Sequence, residues 1–304
     1  MPSFALSVTR FGLRAIGAVS PRHAGKLAFH IFSTTPSRKP KGAKAKGVHA
    51  AGMKRLAAAE RLHVYLPAGG RVAAYRFAPA GGKPAQERYL VVHGWGSGSA
   101  YMADLAAGIA ATGAEVIAID FPGHGRSSGR VLNMRLAVEA IAAAELRFGS
   151  FDAAIGHSFG GASLMIAASG LLPGIRPLAA GKLALIGAPS EMGWLFEDYG
   201  RLLGLAPRVQ AALEGQIHHV TGRRLGDFDA ATLGQAFDRP LLVIHAEDDK
   251  EVSAEHARRY GNAGPHVRLH WANGHGHRRI VSAPDVIARL VEFLREPGRA
   301  QAAE

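Results

Sequence analysis

Past residue 60 the chain alternates between two hydrophobic periods, and that alternation leaves few folds open. Short apolar runs recur at Tyr89–His93, Glu115–Asp120, Phe151–Ile155, Lys182–Ile186, Leu241–His245 and Val267–Trp271. Most are rich in branched side chains and lack polar alternation, as strands buried on both faces require. Between them lie helical patterns near residues 101–111, 132–147, 160–170, 254–260 and 278–295. Strands alternating with helices make right-handed crossovers. The expected class is therefore α/β, a mostly parallel twisted sheet with helices on both faces. Ahead of it, Arg61–Pro67 and Arg71–Pro79 flank Ala68-Gly69-Gly70, a hairpin signal. Residues 190–238 interrupt the alternation. They are too long for an ordinary crossover and carry helical patterns around Trp194, Leu203, Leu213 and Ile217. They read as a small helical cap at the C-terminal side of the sheet, over the ligand crevice.

Charge divides the chain at a different point. Residues 1–59 hold eleven of the 36 basic side chains and no Asp or Glu. The remainder carries 25 basic against 24 acidic residues, close to neutrality. The net charge of +12 thus belongs to a basic N-terminal arm, and 60–304 is a near-neutral domain. Within the arm, 3–19 and 22–32 are short amphipathic helices, with Ser20 as N-cap and Pro21 at the helix start. Thr34–Gly47 reads as a solvated, flexible linker, and residues 50–62 as one more helix. No run reaches 18 apolar residues, so no membrane-spanning helix is expected. The first 20 residues are basic and acid-free like a targeting segment, yet Arg10 and Arg14 interrupt any apolar stretch. The chain has no cysteine, which excludes disulfides, thiolate metal sites, Fe–S clusters and a cysteine nucleophile.

The residues that carry chemistry lie at the ends of the strands. Residues 151–161 read FDAAIGHSFGG, a strand running through Gly156-His157-Ser158-Phe159-Gly160 into a helix. This is the G-x-S-x-G nucleophile elbow, in which a tight turn exposes Ser158 Oγ and bulkier residues at 156 and 160 would collide with neighbouring strands. The new helix turns its free N–H groups toward a developing oxyanion. Gly125-Arg126-Ser127-Ser128-Gly129 fits the same five-residue pattern, but it follows a loop rather than a strand, so Ser127 is read as a loop residue.

A serine nucleophile needs a general base, and the base an orienting acid. The strand 241–245 runs into Glu247-Asp248-Asp249, where Asp248 and Asp249 compete for the acid role, with Asp249 preferred because the turn needs a few residues to aim a side chain inward. The last strand runs into Gly274-His275-Gly276-His277. His277 opens the final helix and is preferred as base over the glycine-flanked His275. Two backbone donors are expected for an oxyanion hole: the N–H of Phe159, and that of Trp95 in the loop His93-Gly94-Trp95-Gly96. His218, His219, His275 and His277 match no metal-ligand spacing, and neither a metal nor a cofactor is expected.

Taken together, YLVVHGWG at 89–96, DFPGHG at 120–125, GHSFG at 156–160, HAEDDKEV at 245–252 and GHGH at 274–277 resemble the α/β-hydrolase superfamily over roughly residues 60–295. The resemblance implies an α/β-hydrolase fold and a Ser158, Asp249, His277 triad. It favours Asp249 through the family's D-x-x-V pattern and His277 through G-x-G-H. The sequence departs from the commoner pattern at Ala246, where glycine is usual, and in the basic helical arm. The implied activity is hydrolysis of a carboxylic ester or thioester, a small-molecule substrate. An acyltransferase would use the same triad, and a non-catalytic binding module anchored by the arm is the third reading. A cytoplasmic enzyme is expected, with no nucleic-acid partner. For the arm two roles stand open: peripheral contact with an anionic membrane through residues 1–47, or a helical extension docked on the domain.

Overall fold

A computed structural model describes residues 4–80 and 85–296. Eight strands form one sheet: β1 (Glu60–Tyr65), β2 (Arg71–Phe77), β3 (Arg88–Val92), β4 (Glu115–Ile119), β5 (Ala153–His157), β6 (Lys182–Ile186), β7 (Leu241–His245) and β8 (Val267–Trp271). Their order is β1-β2-β4-β3-β5-β6-β7-β8. The hairpin β1–β2 is antiparallel, as is β2 on β4, and every later pairing is parallel. Strand residues alternate between two buried faces. Tyr89, Val91, Ala153, Ile155, Leu242 and Ile244 share one core with the helices α4 (Ala103–Ala110) and α12 (Pro284–Arg295). Leu90, Val92, Ala154 and Val243 are equally buried on the other face. There α5 (Met134–Phe148), α6 (Phe159–Ser169) and α10 (Ala254–Gly261) supply the cover, with the short α9 (Ala230–Gln235) packed on α6. Burial on both sides is what the unbroken apolar runs specify.

The chain folds as two compact units. One runs from Thr35 to Ser190 and resumes at Ala230; it contains the whole sheet and α3 (Ala43–Leu56). The other joins the chain up to Thr34 with Glu191–Asp229. It consists of α1 (Phe4–Val19), α2 (Pro21–Ser33), α7 (Gly193–Leu203) and α8 (Pro207–Thr221). Specific contacts hold these four helices. The Arg10 guanidinium donates to the Leu202 carbonyl near the C-terminus of α7, where a cation is favoured. Tyr199 donates its hydroxyl to the Ala28 carbonyl at 3.0 Å, and the Phe32 and Phe196 rings meet at 4.6 Å. Gly25 lies so close to α8 that a Cβ there would come within 2.6 Å of Ala212. Residues 1–59 are therefore divided: α1 and α2 belong with the helices of residues 191–229, and α3 belongs with the sheet.

Three local expectations change. The helix expected at 50–62 is α3, which starts at Ala43 and ends at Leu56. Residues 60–65 instead pair with β2, from Glu60 opposite Arg76 to Tyr65 opposite Arg71, because hairpin bonds outweigh the local helical pattern. The linker 34–47 is not free. Thr35 is buried, with its N–H on the Arg130 carbonyl and its hydroxyl on that of Gly123. Arg38 donates to the carbonyls of Gly123, Gly125 and Gly129. These are contacts far apart in sequence, which local composition does not reveal. The last helix is interrupted: α11 (Gly276–Arg279) stops, and Pro284 starts α12 at the N1 position it favours.

At the edge of the core Lys182 opens β6 and is buried, and its ammonium donates to the carbonyls of Phe293, Leu294 and Glu296. It ties off the C-terminal end of α12, and burial lowers its pKa. Replacing it leaves those carbonyls without a donor. Lys182→Met is expected to lower unfolding free energy by roughly 2–3 kcal/mol in urea titrations; an unchanged midpoint would contradict this account of α12.

Candidate active site

β5 ends at His157 and α6 begins at Phe159, leaving one residue to reverse the chain. That residue, Ser158, adopts φ 53° and ψ −124°, and no other non-glycine among the described residues has positive φ. Its neighbours must be small. A Cβ at Gly156 would lie 2.6 Å from the Gly161 nitrogen, and one at Gly160 would lie 2.5 Å from the His93 carbonyl oxygen. Ser158 N–H donates to the Ile186 carbonyl of β6 at 2.8 Å, which anchors the turn to the sheet.

The structure brings Ser158, His277 and Asp249 together. His277 Nε2 lies 3.0 Å from Ser158 Oγ, and its Nδ1 lies 2.7 Å from Asp249 Oδ2. A carboxylate only accepts, so Nδ1 carries the proton toward Asp249 and Nε2 is left to accept from the serine hydroxyl. The Asp249 side chain is 1 % exposed and that of His277 is 8 % exposed. Burial alone would raise the Asp249 pKa. Hydrogen bonds from His277 and from the N–H groups of Val252 and Glu251 outweigh it and hold the carboxyl below its ordinary range.

The competing candidates do other work. Asp248 accepts the Gly274 N–H at 2.8 Å, tying the acid loop to the histidine loop. Glu247 and Asn273 reinforce that tie through two reciprocal hydrogen bonds. His275 faces Asp285 at 3.0 Å instead of Ser158. Ser127 is buried, donating to the Asp120 carbonyl and accepting from Ala73 N–H. The Trp95 and Phe159 N–H groups find no acceptor among the described residues. Phe159 stands in the first turn of α6, whose N–H groups have no helical partner. The Trp95 and Phe159 rings meet edge to face, with centroids 6.0 Å apart. No cluster of three or more His, Asp or Glu residues suited to a metal occurs among the described residues.

Sequence reasoning missed the buried imidazoles that brace these loops. The His157 ring lies tilted against that of His277 with centroids 4.8 Å apart, and its Nε2 donates to the His277 carbonyl at 2.8 Å. Burial, with the neighbouring His277, pushes its pKa down to about 3. His124 donates from Nδ1 to the Pro122 carbonyl and accepts the Gly96 N–H on Nε2 at 2.9 Å. His93 repeats the pattern, donating to the Gly94 carbonyl and accepting from Phe121 N–H. Asp120 joins in, accepting from the N–H groups of Ser99 and Arg126. The loop that carries Trp95 is thus fastened to the loop after β4, which Thr35 and Arg38 in turn hold.

The profile of the alpha/beta hydrolase family matches residues 89–290. The chain belongs to that family. Among solved structures, it is similar to an esterase of Pyrococcus furiosus, at 15 % identity and TM-score 0.61 over 86 % of this chain and 97 % of that one. An esterase of Butyrivibrio proteoclasticus with ferulic acid bound is 19 % identical, with TM-score 0.58 over 80 % of this chain and all of its own. A bacterial membrane phospholipase A is 16 % identical, with TM-score 0.60 over 82 % and 91 %. At these identities the likeness is one of fold. No curated protein sequence matches the chain.

A buried neutral imidazole gives this alpha/beta hydrolase a pH signature. Burial first, and the adjacent His93 second, lower the His124 pKa from 6.5 to about 4. Between those values the unfolded chain binds a proton that the folded chain refuses, so stability falls as pH drops from about 6.5 toward 4. The expected loss for this one group is on the order of 3 kcal/mol. Thermal melts of the wild type and of His124→Gln across that window should converge as pH falls; parallel curves would remove His124 from the network.

Proposed function

We propose that this chain is a serine hydrolase that cleaves a carboxylic ester or thioester through an acyl-enzyme on Ser158. The observation that carries this reading is the unbroken relay from Ser158 Oγ to His277 and on to Asp249, at 3.0 Å and 2.7 Å. Ser158 Oγ attacks the acyl carbon as His277 Nε2 takes its proton. Asp249, held ionised, fixes the imidazole in the accepting tautomer and stabilises the imidazolium. The N–H groups of Trp95 and Phe159 receive the negative charge on the carbonyl oxygen. His277 then protonates the leaving alcohol or thiol, and the acyl group stays on Ser158. Water, deprotonated by His277, attacks the acyl carbon and releases the acid, and the proton returns to Ser158. The Trp95 and Phe159 rings stand at the two oxyanion donors and form an apolar wall for the acyl portion. The partner is a small-molecule ester, met at an anionic membrane surface that the N-terminal region contacts.

Two variants test the chemistry. Ser158→Ala should lower kcat on p-nitrophenyl esters by at least about 10³-fold and abolish labelling by a fluorophosphonate probe. Asp249→Asn keeps the shape but favours the wrong tautomer, and should cost about 10⁴-fold in kcat. Retention of most turnover in either variant, with the fold intact by circular dichroism, would sink the assignment.

A further inference from the structure

The helical unit that contains the N-terminus presents a face its own contacts leave unused. On α1, Leu13 is buried, Arg10 is bonded to the Leu202 carbonyl, and a Cβ at Gly17 would touch Val209. These residues mark the packed side. At 100° per residue, Val8, Phe11, Ala15 and Val19 fall together on the opposite side. There Val8 is 54 %, Phe11 75 % and Val19 89 % exposed. Three large apolar side chains so open to water, in one stripe along one helix, are not packing residues. On α2 the exposed residues mix basic and apolar side chains, Arg22, Lys26, Leu27 and Ile31, with His23 and His30. A shallow apolar notch lined by Ala15, Ile16, Val19, Ser20 and His23 lies where α1 passes into α2.

We infer that this α1–α2 surface docks on a bilayer of anionic phospholipid. The inference rests on the membrane part of the proposed function, and stands apart from its chemistry. Charge selects the occupant. Residues 1–59 contain no Asp or Glu, so nothing on α1 or α2 offsets the exposed Arg14, Arg22 and Lys26. A second copy of the chain seated symmetrically on this face would press like charges together without an acidic partner. An anionic lipid surface supplies the missing counter-charge and takes up the apolar stripe at the same time. A helix with Val and Phe on one side and Arg at its flanks lies in the interface plane. No described helix is long and apolar enough to cross a membrane.

The test uses the full chain, co-sedimented with vesicles of phosphatidylcholine alone and of phosphatidylcholine with phosphatidylserine, at low and high salt. Binding should require phosphatidylserine and be lost at high salt. The double variant Phe11→Asp with Val19→Asp should weaken partitioning at least about tenfold. A second double variant, Arg22→Glu with Lys26→Glu, changes only exposed positions and should do the same, so the test survives poor folding of the first. Both should hydrolyse a soluble ester without vesicles as the wild type does. Equal binding to both vesicles, no binding, or variants that bind like wild type overturns the inference. So does a concentration-dependent dimer that the Phe11 and Val19 substitutions dissolve, which would assign the face to a second copy. Lipid binding by a chain that neither turns over esters nor labels at Ser158 leaves this inference standing and removes the catalytic one.

Discussion

The site depends on one backbone conformation that an ordinary residue avoids. Ser158 holds φ 53° between a strand and a helix, a region that costs a non-glycine residue on the order of 1–3 kcal/mol. The surroundings over-determine it. The Ser158 N–H is committed to the Ile186 carbonyl, and the backbone on either side is pressed against Gly161 and His93. The helix that follows is buried from Gly160 to Ala168. Relaxing the serine would mean moving β5, β6 and α6 together. Two consequences follow from the same turn: the hydroxyl leaves the sheet toward His277, and the first N–H groups of α6 open beside it.

Around that turn the protein uses neutral histidines as braces. His93, His124, His157 and His245 are all buried, and burial is the leading cause that lowers each pKa. An imidazole kept neutral offers one donor and one acceptor in fixed directions. His124 and His93 spend theirs on a carbonyl and a backbone N–H. His157 and His245 donate to the carbonyls of His277 and Val252. Loops that a charged side chain would force to rearrange are thereby held without adding charge beside the carboxylate–imidazole pair.

The parallel core was legible because its strands are continuous apolar runs separated by helical patterns, and that signal is local. Ser158 was legible for a similar reason, since glycine spacing and a strand-to-helix switch lie within eleven residues. Asp249 and His277 needed more, because Asp248 and His275 stand beside them with the same chemistry. Turn position and the family's D-x-x-V and G-x-G-H patterns favour Asp249 and His277, while Asp248 accepts from Gly274 N–H and His275 faces Asp285. The braces were not legible. His124 and Asp120 sit within the DFPGHG stretch, but nothing local states that one accepts from Gly96 and the other from Ser99. The packing of α1 and α2 against α7 and α8 joins segments about 200 residues apart, and amphipathicity tells that a helix packs without telling on what. Arg38 and Thr35 were hidden by composition, since a basic, proline-containing stretch reads as solvated whether or not carbonyls await it.

The clasp made by Thr35 and Arg38 gives the N-terminal segment a second standing in the molecule. It closes over Gly123, Gly125 and Gly129, one step from the His124 ring that holds Gly96. Thr35 follows directly on the helical unit in the chain. Cutting the chain behind residue 38 to isolate the sheet-bearing part would therefore undo a latch on the loop beside Trp95. A shortened protein with poor turnover would report a loosened loop as much as the loss of α1 and α2. The N-terminal segment is therefore fastened at Thr35 and Arg38 to the loop after β4.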